Sequence, residues 1–180
     1  MKHKIGRHFR YVGVTILLVS TLITSCLNKK LTKTPPGEIK PLEKEVFILK
    51  PFGYEPNLKN FKMNLPSSFK LHIYSMKNIH NPAVTDTIYK FYQNKSEFLI
   101  YKNVNNRELF FGGNIYTNKI KLRNGITIGM TRLEFLNCFS NLKSDAKDTI
   151  RLSSKKAPNS MNFIFRNNKL IVIKMDNYID

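Results

Sequence analysis

Cysteine is the residue type with the clearest potential for chemistry in this chain, and it occurs twice, at Cys26 and Cys138. Its thiolate form is a nucleophile that can accept a lipid group. Cys26 lies at the far edge of an apolar segment, directly after the small residues Thr24 and Ser25, so its position suits a covalent modification. Cys138 has no histidine or metal-ligand spacing around it, and we expect a small buried side chain on a helix.

The residues before Cys26 have the layout of an export signal. A basic start is followed by a charge-free apolar stretch at 11–23 and then by small residues, which is typical of a cleaved secretory signal. A retained membrane helix is the alternative, but it needs about 20 predominantly apolar residues, and this stretch is shorter. We therefore expect a cleaved signal and not a retained membrane helix. The basic start consists of Lys2, Lys4, Arg7 and Arg10.

Ile23, Thr24, Ser25 and Cys26 resemble the lipobox of bacterial lipoproteins, in which an aliphatic residue and two small residues precede a cysteine. The resemblance implies a thioether-linked lipid on Cys26, cleavage before it and usually acylation of the new amino terminus. Two or more acyl chains anchor a protein stably to a bilayer, whereas one chain holds it only marginally. Because no aspartate follows the cysteine, the resemblance also implies the outer membrane.

The chain is expected to have three parts: a signal peptide at 1–25, a lipidated amino terminus and linker at 26–44, and a single domain at 45–180. The linker is polar and marked by lysine and proline, without apolar periodicity. A flexible tether of roughly 18 residues reaches about 25 Å, so the domain can stand off the membrane. Since the linker lacks an acidic cluster like the surface-export tag of some bacteria, we expect a periplasmic domain, with the cell surface as the alternative.

The chain is strongly basic, with 30 lysines and arginines, 12 acidic residues and a formal charge of +18. The first 25 residues hold four of the basic residues and none of the acidic ones, so the mature chain carries +14. This balance favours acidic partners, such as anionic lipid headgroups, an acidic glycan or an acidic protein surface. Nucleic acid is the usual partner of so basic a chain, but export argues against it. The alternative is that the charge reflects the lysine-rich composition typical of an AT-rich genome.

The pattern of the domain predicts an α+β fold, mostly antiparallel β-sheet with one short helix packed on it. A capping box at Thr131 and Glu134 predicts that helix over about 131–142. The paired glycines Gly112 and Gly113 predict a bulge or a close backbone approach. The predicted strands are 46–49, 69–76, 84–93, 97–102, 109–116, 118–124, 161–165 and 170–175, the last two forming a central hairpin, and 51–68 is expected to be irregular.

The sharpest alternation in the domain places Lys119, Lys121 and Arg123 on one side of a predicted strand and Ile120 and Leu122 on the other. One interpretation is a basic ribbon that contacts an anionic partner. The other is an ordinary solvent-facing side of a strand, which is favoured because lysines are mostly exposed in any protein.

A second resemblance lies in the last third of the chain, over 125–176. The sequence Ile-Gly-Met-Thr at 128–131 opens a short helix, Asp-Thr-Ile-Arg follows at 148–151, and two strands close the chain. This unit resembles that of small outer-membrane lipoproteins related to the barrel-assembly component BamE, and the beta-lactamase-inhibitor-like fold. The resemblance implies the architecture and the compartment; a barrel-assembly role is not carried over.

Residues that could form a catalytic or metal site are few and scattered. His72 and His80 have no carboxylate or cysteine at ligand spacing, and Asp145 and Asp148 lie in a loop rich in serine and lysine. We therefore expect no enzyme activity, no cofactor and no metal. The oligomeric state is left open.

Three functions remain as hypotheses. The first is a structural or interaction lipoprotein that binds an envelope protein or an anionic glycan or lipid. The second is an inhibitor or immunity-type binder of an exported enzyme, acting through the exposed face of the sheet. The third is an enzyme that acts on envelope polymers, with His72 or Asp86 as the candidate residues.

Overall fold

The computed structural model describes residues 41–78, 81–143 and 147–177. The predicted signal, Cys26 and most of the predicted linker lie outside these ranges, as do His80 and Asp145. The described chain forms a seven-stranded antiparallel sheet with short helices packed against one face. The strands are β1 (Lys70–Lys77), β2 (Thr85–Gln93), β3 (Ser96–Lys102), β4 (Glu108–Ile115), β5 (Thr149–Ser153), β6 (Asn159–Arg166) and β7 (Lys169–Asn177), and the α-helices are α1 (Lys44–Leu49), α2 (Leu58–Asn64) and α3 (Arg132–Asn137).

The strand order of the sheet is β1-β2-β3-β4-β7-β6-β5. Strands β1 to β4 form one part and β5 to β7 the other, and the two parts meet where β4 pairs with β7. The mostly antiparallel sheet is confirmed, and so are the predicted strands that became β1 to β4, β6 and β7. The predicted central hairpin is β6–β7, where Asn167 and Asn168 take the positive φ angles that such a turn needs. A single helix was expected, but the described chain has three.

The paired glycines lie where β4 passes between β3 and β7. Gly112 has a φ of 144°, and the pairing of β3 with β4 shifts register beside it. A Cβ at Gly113 would lie 2.4 Å from the carbonyl oxygen of Glu97, which is too close for any side chain to be tolerated. Both parts of the glycine prediction, a bulge and a close backbone approach, are therefore confirmed.

The predicted strand at 46–49 is wrong, because this segment is the helix α1. Phe47 and Ile48 are buried, whereas Val46 and Leu49 remain substantially exposed, which is not the alternation of a strand. A short continuous apolar run has no periodicity that distinguishes a helix from a strand. The segment at 51–68 likewise contains α2, whose N-cap Asn57 accepts a hydrogen bond from the Asn60 backbone N–H at 2.8 Å.

The predicted strand at 118–124 is also wrong, because this segment is a loop that ends in a 3-10 turn. The inward and outward assignment nevertheless holds for four residues: Ile120 and Leu122 are buried, while Lys119 and Lys121 are exposed. The loop closes on itself instead of pairing with a strand. The Thr127 hydroxyl donates to the Ile120 carbonyl at 2.9 Å, and the Leu122 N–H donates to the Ile126 carbonyl at 2.8 Å.

The predicted helix at 131–142 begins where expected and ends earlier, at Asn137. The capping box is confirmed, since Thr131 Oγ1 accepts from the Glu134 N–H and Glu134 Oε2 accepts from the Thr131 N–H. The Thr131 hydroxyl also donates to Glu134 Oε2, at 2.8 Å. The Thr131 backbone N–H and this hydroxyl together lower the pKa of Glu134. The helix stops because the Cys138 carbonyl accepts a hydrogen bond from the Leu42 N–H at 2.9 Å, which occupies an acceptor that another helical turn would need.

An aromatic cluster fills the space between the helices and the sheet. Phe135 on α3 lies 4.5 Å from Phe163 on β6, measured between ring centroids, and Phe61 on α2 lies 5.1 Å from Phe98 on β3. All four rings are fully buried. Burial of such rings supplies much of the hydrophobic stabilisation of a small domain, so the helices are held to this face of the sheet by aromatic packing.

Candidate functional site

The predicted anionic contact residues lie on a loop and a 3-10 turn, not on one side of a strand. Lys119 and Lys121 point into solvent from the loop. Arg123 is half-buried: its backbone N–H donates to the Pro51 carbonyl at 2.8 Å, and its aliphatic stem passes Gly53. Two of the three predicted residues are therefore available to a partner, while the third also fixes the loop to the domain.

The predicted role of Cys138 as a small buried side chain is confirmed, since it is 5% exposed. Its thiol donates to the Glu134 carbonyl at 3.3 Å. Burial, followed by the nearby Glu134 carboxylate, raises the pKa of the Cys138 thiol. A buried thiol with a raised pKa is a poor nucleophile, so its role in the fold is packing.

The two catalytic candidates, His72 and Asp86, differ in their exposure to solvent. His72 is exposed on β1 and stacks on Tyr74, with 5.6 Å between the ring centroids. Asp86 on β2 is only 1% exposed. Its Oδ2 accepts hydrogen bonds from the Tyr101 hydroxyl and, at 2.7 Å, from the Asn78 side-chain amide.

The Asp86 carboxylate is stabilised in its charged form. The Tyr101 hydroxyl lowers the pKa of Asp86 most, with further contributions from Asn78 and the Val104 N–H, while burial opposes them. The same bond raises the pKa of Tyr101. Asp86 Oδ1 is buried, and no donor in the described part of the chain lies in good hydrogen-bond geometry to it. Because the bonded oxygen ties β2 to β3 and to the turn at Asn78, the arrangement is suited to holding these elements together.

The side of the sheet opposite the helices is here termed the open face. The register places Tyr74, Ile88 and Tyr101 side by side across β1, β2 and β3 on this face. Ile88 is buried between the two tyrosines although none of the three described helices packs over it. Next to this row, Lys90 Nζ lies 2.6 Å from Glu97 Oε2, and hydrogen bonding to Glu97 raises the pKa of Lys90.

Cations greatly outnumber their internal partners in this domain. Within residues 41–78, 81–143 and 147–177, the pair Lys90–Glu97 is the only ion pair. Other carboxylates are used for backbone and hydroxyl contacts: Glu45 binds Ser154 and Lys155, Glu108 accepts from the Leu58 N–H, and Glu134 caps α3. The excess positive charge is therefore presented at the surface.

A cavity of about 400 Å³ opens between α1 and the ends of β4, β6 and β7. Apolar side chains line part of it and polar groups line its rim, but none of the predicted site residues contributes to it. Its lining includes Ile48, Phe110, Met161, Met175, Arg107 and Asn177.

Sequence reasoning named Asp86 but missed its two partners. Asn78 and Tyr101 lie 8 and 15 residues away, and only strand register brings them together. A partial signal existed, because the alternation of β2 and β3 places an even-numbered residue of one and an odd-numbered residue of the other on one face. The sequence did not show on which face of the sheet the polar residues of each strand lie, because that depends on which face the helices cover.

Other kinds of site can be assessed for the described residues alone. They contain no group of three or more histidines, cysteines, aspartates or glutamates that could hold a metal ion. None of the helices in the described part of the chain is long and apolar enough to cross a membrane. Comparison with known proteins gives no matching family model, no similar curated protein and no similar solved structure.

Proposed function

We propose that this chain is a lipid-anchored envelope protein whose domain binds an anionic partner and catalyses no reaction. The partner is an envelope protein or an acidic glycan or lipid. The anchor is the acylated Cys26, the membrane is the bacterial outer membrane, and the domain faces the periplasm. The lipobox-like sequence at 23–26 and the basic leader support the anchor.

The observation that carries the binding role is the excess of lysines and arginines over carboxylates in the sequence. A single ion pair among the described residues stands against a formal charge of +14 on the mature chain. A surface with one dominant sign attracts partners of the opposite sign and accelerates their association. Exposed Lys119 and Lys121 belong to this surface.

A second candidate function is an inhibitor or immunity-type binder of an exported enzyme. The open face supports it, because Tyr74 is 39% exposed there and tyrosine is enriched in protein–protein interfaces. Such a binder would associate with one enzyme in a one-to-one complex, whereas a structural lipoprotein would associate constitutively with envelope components.

The anchor is tested by metabolic labelling with palmitate in cells that express the full chain. We expect the parent to be labelled and Cys26→Ala to be unlabelled and released from the membrane fraction. Cys138→Ala is the matched control, since it removes the other cysteine and should remain labelled. Label on Cys26→Ala would refute the lipid anchor.

The binding role is tested by cross-linking in intact cells, followed by co-purification in detergent at low and high salt. One partner retained at high salt would support a specific interface, and its identity would distinguish the two candidate functions. Replacing Lys119 and Lys121 together by Glu should weaken that retention. The same exchange at Lys155 and Lys156, which are also exposed in a loop, should not.

If both double variants lose partner retention equally, and the bound material is mixed, acidic and released by salt, the protein adheres generally through its charge. That result would refute a specific partner.

A further inference from the structure

We propose that β1 is the docking site for an extended segment of a partner protein, which adds to the sheet as an eighth, antiparallel strand and carries acidic side chains at both ends. The inference deepens the proposed function and rests on it, because it specifies how a partner protein binds. β1 is an edge of the sheet. Backbone N–H and C=O groups along such an edge can pair with an added strand.

β1 is long and regular. It spans eight residues and pairs with β2 without a register shift, from Lys70 opposite Tyr92 to Lys77 opposite Thr85. It contains no proline. Prolines, bulges and lysines are devices by which proteins block an edge, and the lysines of β1 stand only at its two ends. An added strand can therefore pair along the whole length of β1.

The side chains of β1 offer an apolar surface next to the backbone. Leu71 and Ile73 share the side of the sheet that the helices cover, yet they lie beyond the cover and are 36% and 53% exposed. A hollow of about 190 Å³ lies beside Leu71, lined by Phe61, Leu65, Phe69 and Phe91 among others. An apolar side chain of the added strand, placed opposite Leu71, can enter this hollow and bury apolar area.

Charge determines which kind of segment fits. Lys70 and Lys77 stand at the two ends of β1, and the strand has no acidic residue. Opposite charges across neighbouring strands are favourable, and like charges are unfavourable. A second copy of β1 would bring four lysines to one seam without a carboxylate, so the charges favour a partner with acidic ends over self-pairing.

The probe for this site is the blocked peptide Glu-Thr-Val-Thr-Val-Thr-Val-Glu. In antiparallel register with β1, its glutamates lie opposite Lys70 and Lys77, and two of its valines lie opposite Leu71 and Ile73. Its binding to the full-length lipidated chain in detergent is measured by fluorescence anisotropy. The comparison peptide has lysine in place of both glutamates, and we expect it to bind at least about tenfold more weakly.

Charge reversal on the protein supplies the matched control. The double variant Lys70→Glu with Lys77→Glu should exchange the preference, so that the lysine-ended peptide binds more tightly. The variant Lys155→Glu with Lys156→Glu changes the net charge by the same amount elsewhere and should keep the original preference. Hydrogen exchange should show that the β1 amides that point away from β2 become protected on peptide binding.

Three results would overturn the inference: equal affinity for the two peptides, an unchanged preference in the Lys70 and Lys77 variant, or protection, in the free protein, of the β1 amides that point away from β2. The last would mean that a second copy or another part of this chain occupies the edge, and sedimentation would distinguish them. None of these results affects the palmitate labelling or the salt-resistant partner, so failure here is separable from failure of the proposed function.

Discussion

The two edges of the sheet are built in opposite ways. β1 has eight residues, nearly all with exposed side chains, whereas β5 has five and buries Ile150 and Leu152. The covered edge is held by α1, whose Glu45 accepts hydrogen bonds from the Ser154 hydroxyl and the Lys155 N–H just after β5. The exposed edge extends past the helices, so its apolar side chains remain in solvent.

This difference shows that exposure at β1 is a property of the layout and not of strand composition. Both edges carry alternating apolar residues, but only β5 lies beneath a helix and a filled aromatic core. Phe47 of α1 contacts Phe163 of β6, the strand next to β5. Short, covered edges are protected from pairing with other chains, so this sheet has one protected edge and one available edge.

The largest effect on stability is expected when a ring is removed from β6, the strand beside the covered edge. Phe163→Ala should lower the free energy of unfolding by about 3–5 kcal/mol, because it leaves a cavity in the aromatic cluster. Ile73→Ala on β1 should cost no more than about 0.5 kcal/mol, as for an ordinary surface residue. Urea unfolding of both variants, followed by circular dichroism, measures this. Equal costs would show that β1 is as well covered as β6, the strand next to β5.

Much of the sheet could be predicted from the sequence because alternation and turn residues are local signals. The hairpin with Asn167 and Asn168 and the glycines of β4 were identified for the correct reasons. The α1 segment was mistaken for a strand because four consecutive apolar residues fit either element. The loop around Lys119 was mistaken because its hydrogen bonds are satisfied within the loop, by Thr127, instead of by a neighbouring strand.

The candidate site was less predictable than the fold. Whether β1 is an edge depends on strand order, and strand order depends on contacts between distant parts of the chain, such as the pairing of Ile115 on β4 with Ile173 on β7. The exposure of Leu71 depends in turn on where α2 ends. Neither fact is encoded in the residues of β1 themselves, which predict only a strand with one apolar side.

A smaller test weakens the cover without emptying the core. Thr131→Ala removes the N-cap of α3, the helix that places Phe135 on Phe163 and Phe165, and should cost about 1 kcal/mol. Thr131→Ser keeps the hydroxyl and should stay within a few tenths of a kcal/mol of the parent. The midpoints of urea unfolding measure both stability changes when the slopes of the transitions are equal. If the two variants lose the same stability, the capping hydroxyl does not stabilise the helix.

The prediction that separates the two edges by their chemistry concerns their carboxylates. Asp86 pairs in register with Met76 of β1, and Glu45 holds the end of β5. Hydrogen bonds lower the pKa of both groups, chiefly from Tyr101 for Asp86 and from Ser154 for Glu45. The folded protein therefore binds fewer protons than the unfolded chain near their usual pKa values of about 4.

The stability contributed by each group is present above about pH 4 and is lost as the pH falls below it. Asp86→Asn and Glu45→Gln should each flatten the fall of the melting temperature between about pH 5 and pH 2. Thermal melts across this range measure the slopes. A parental slope in Asp86→Asn would mean that the exposed edge does not depend on this carboxylate for its attachment to the sheet.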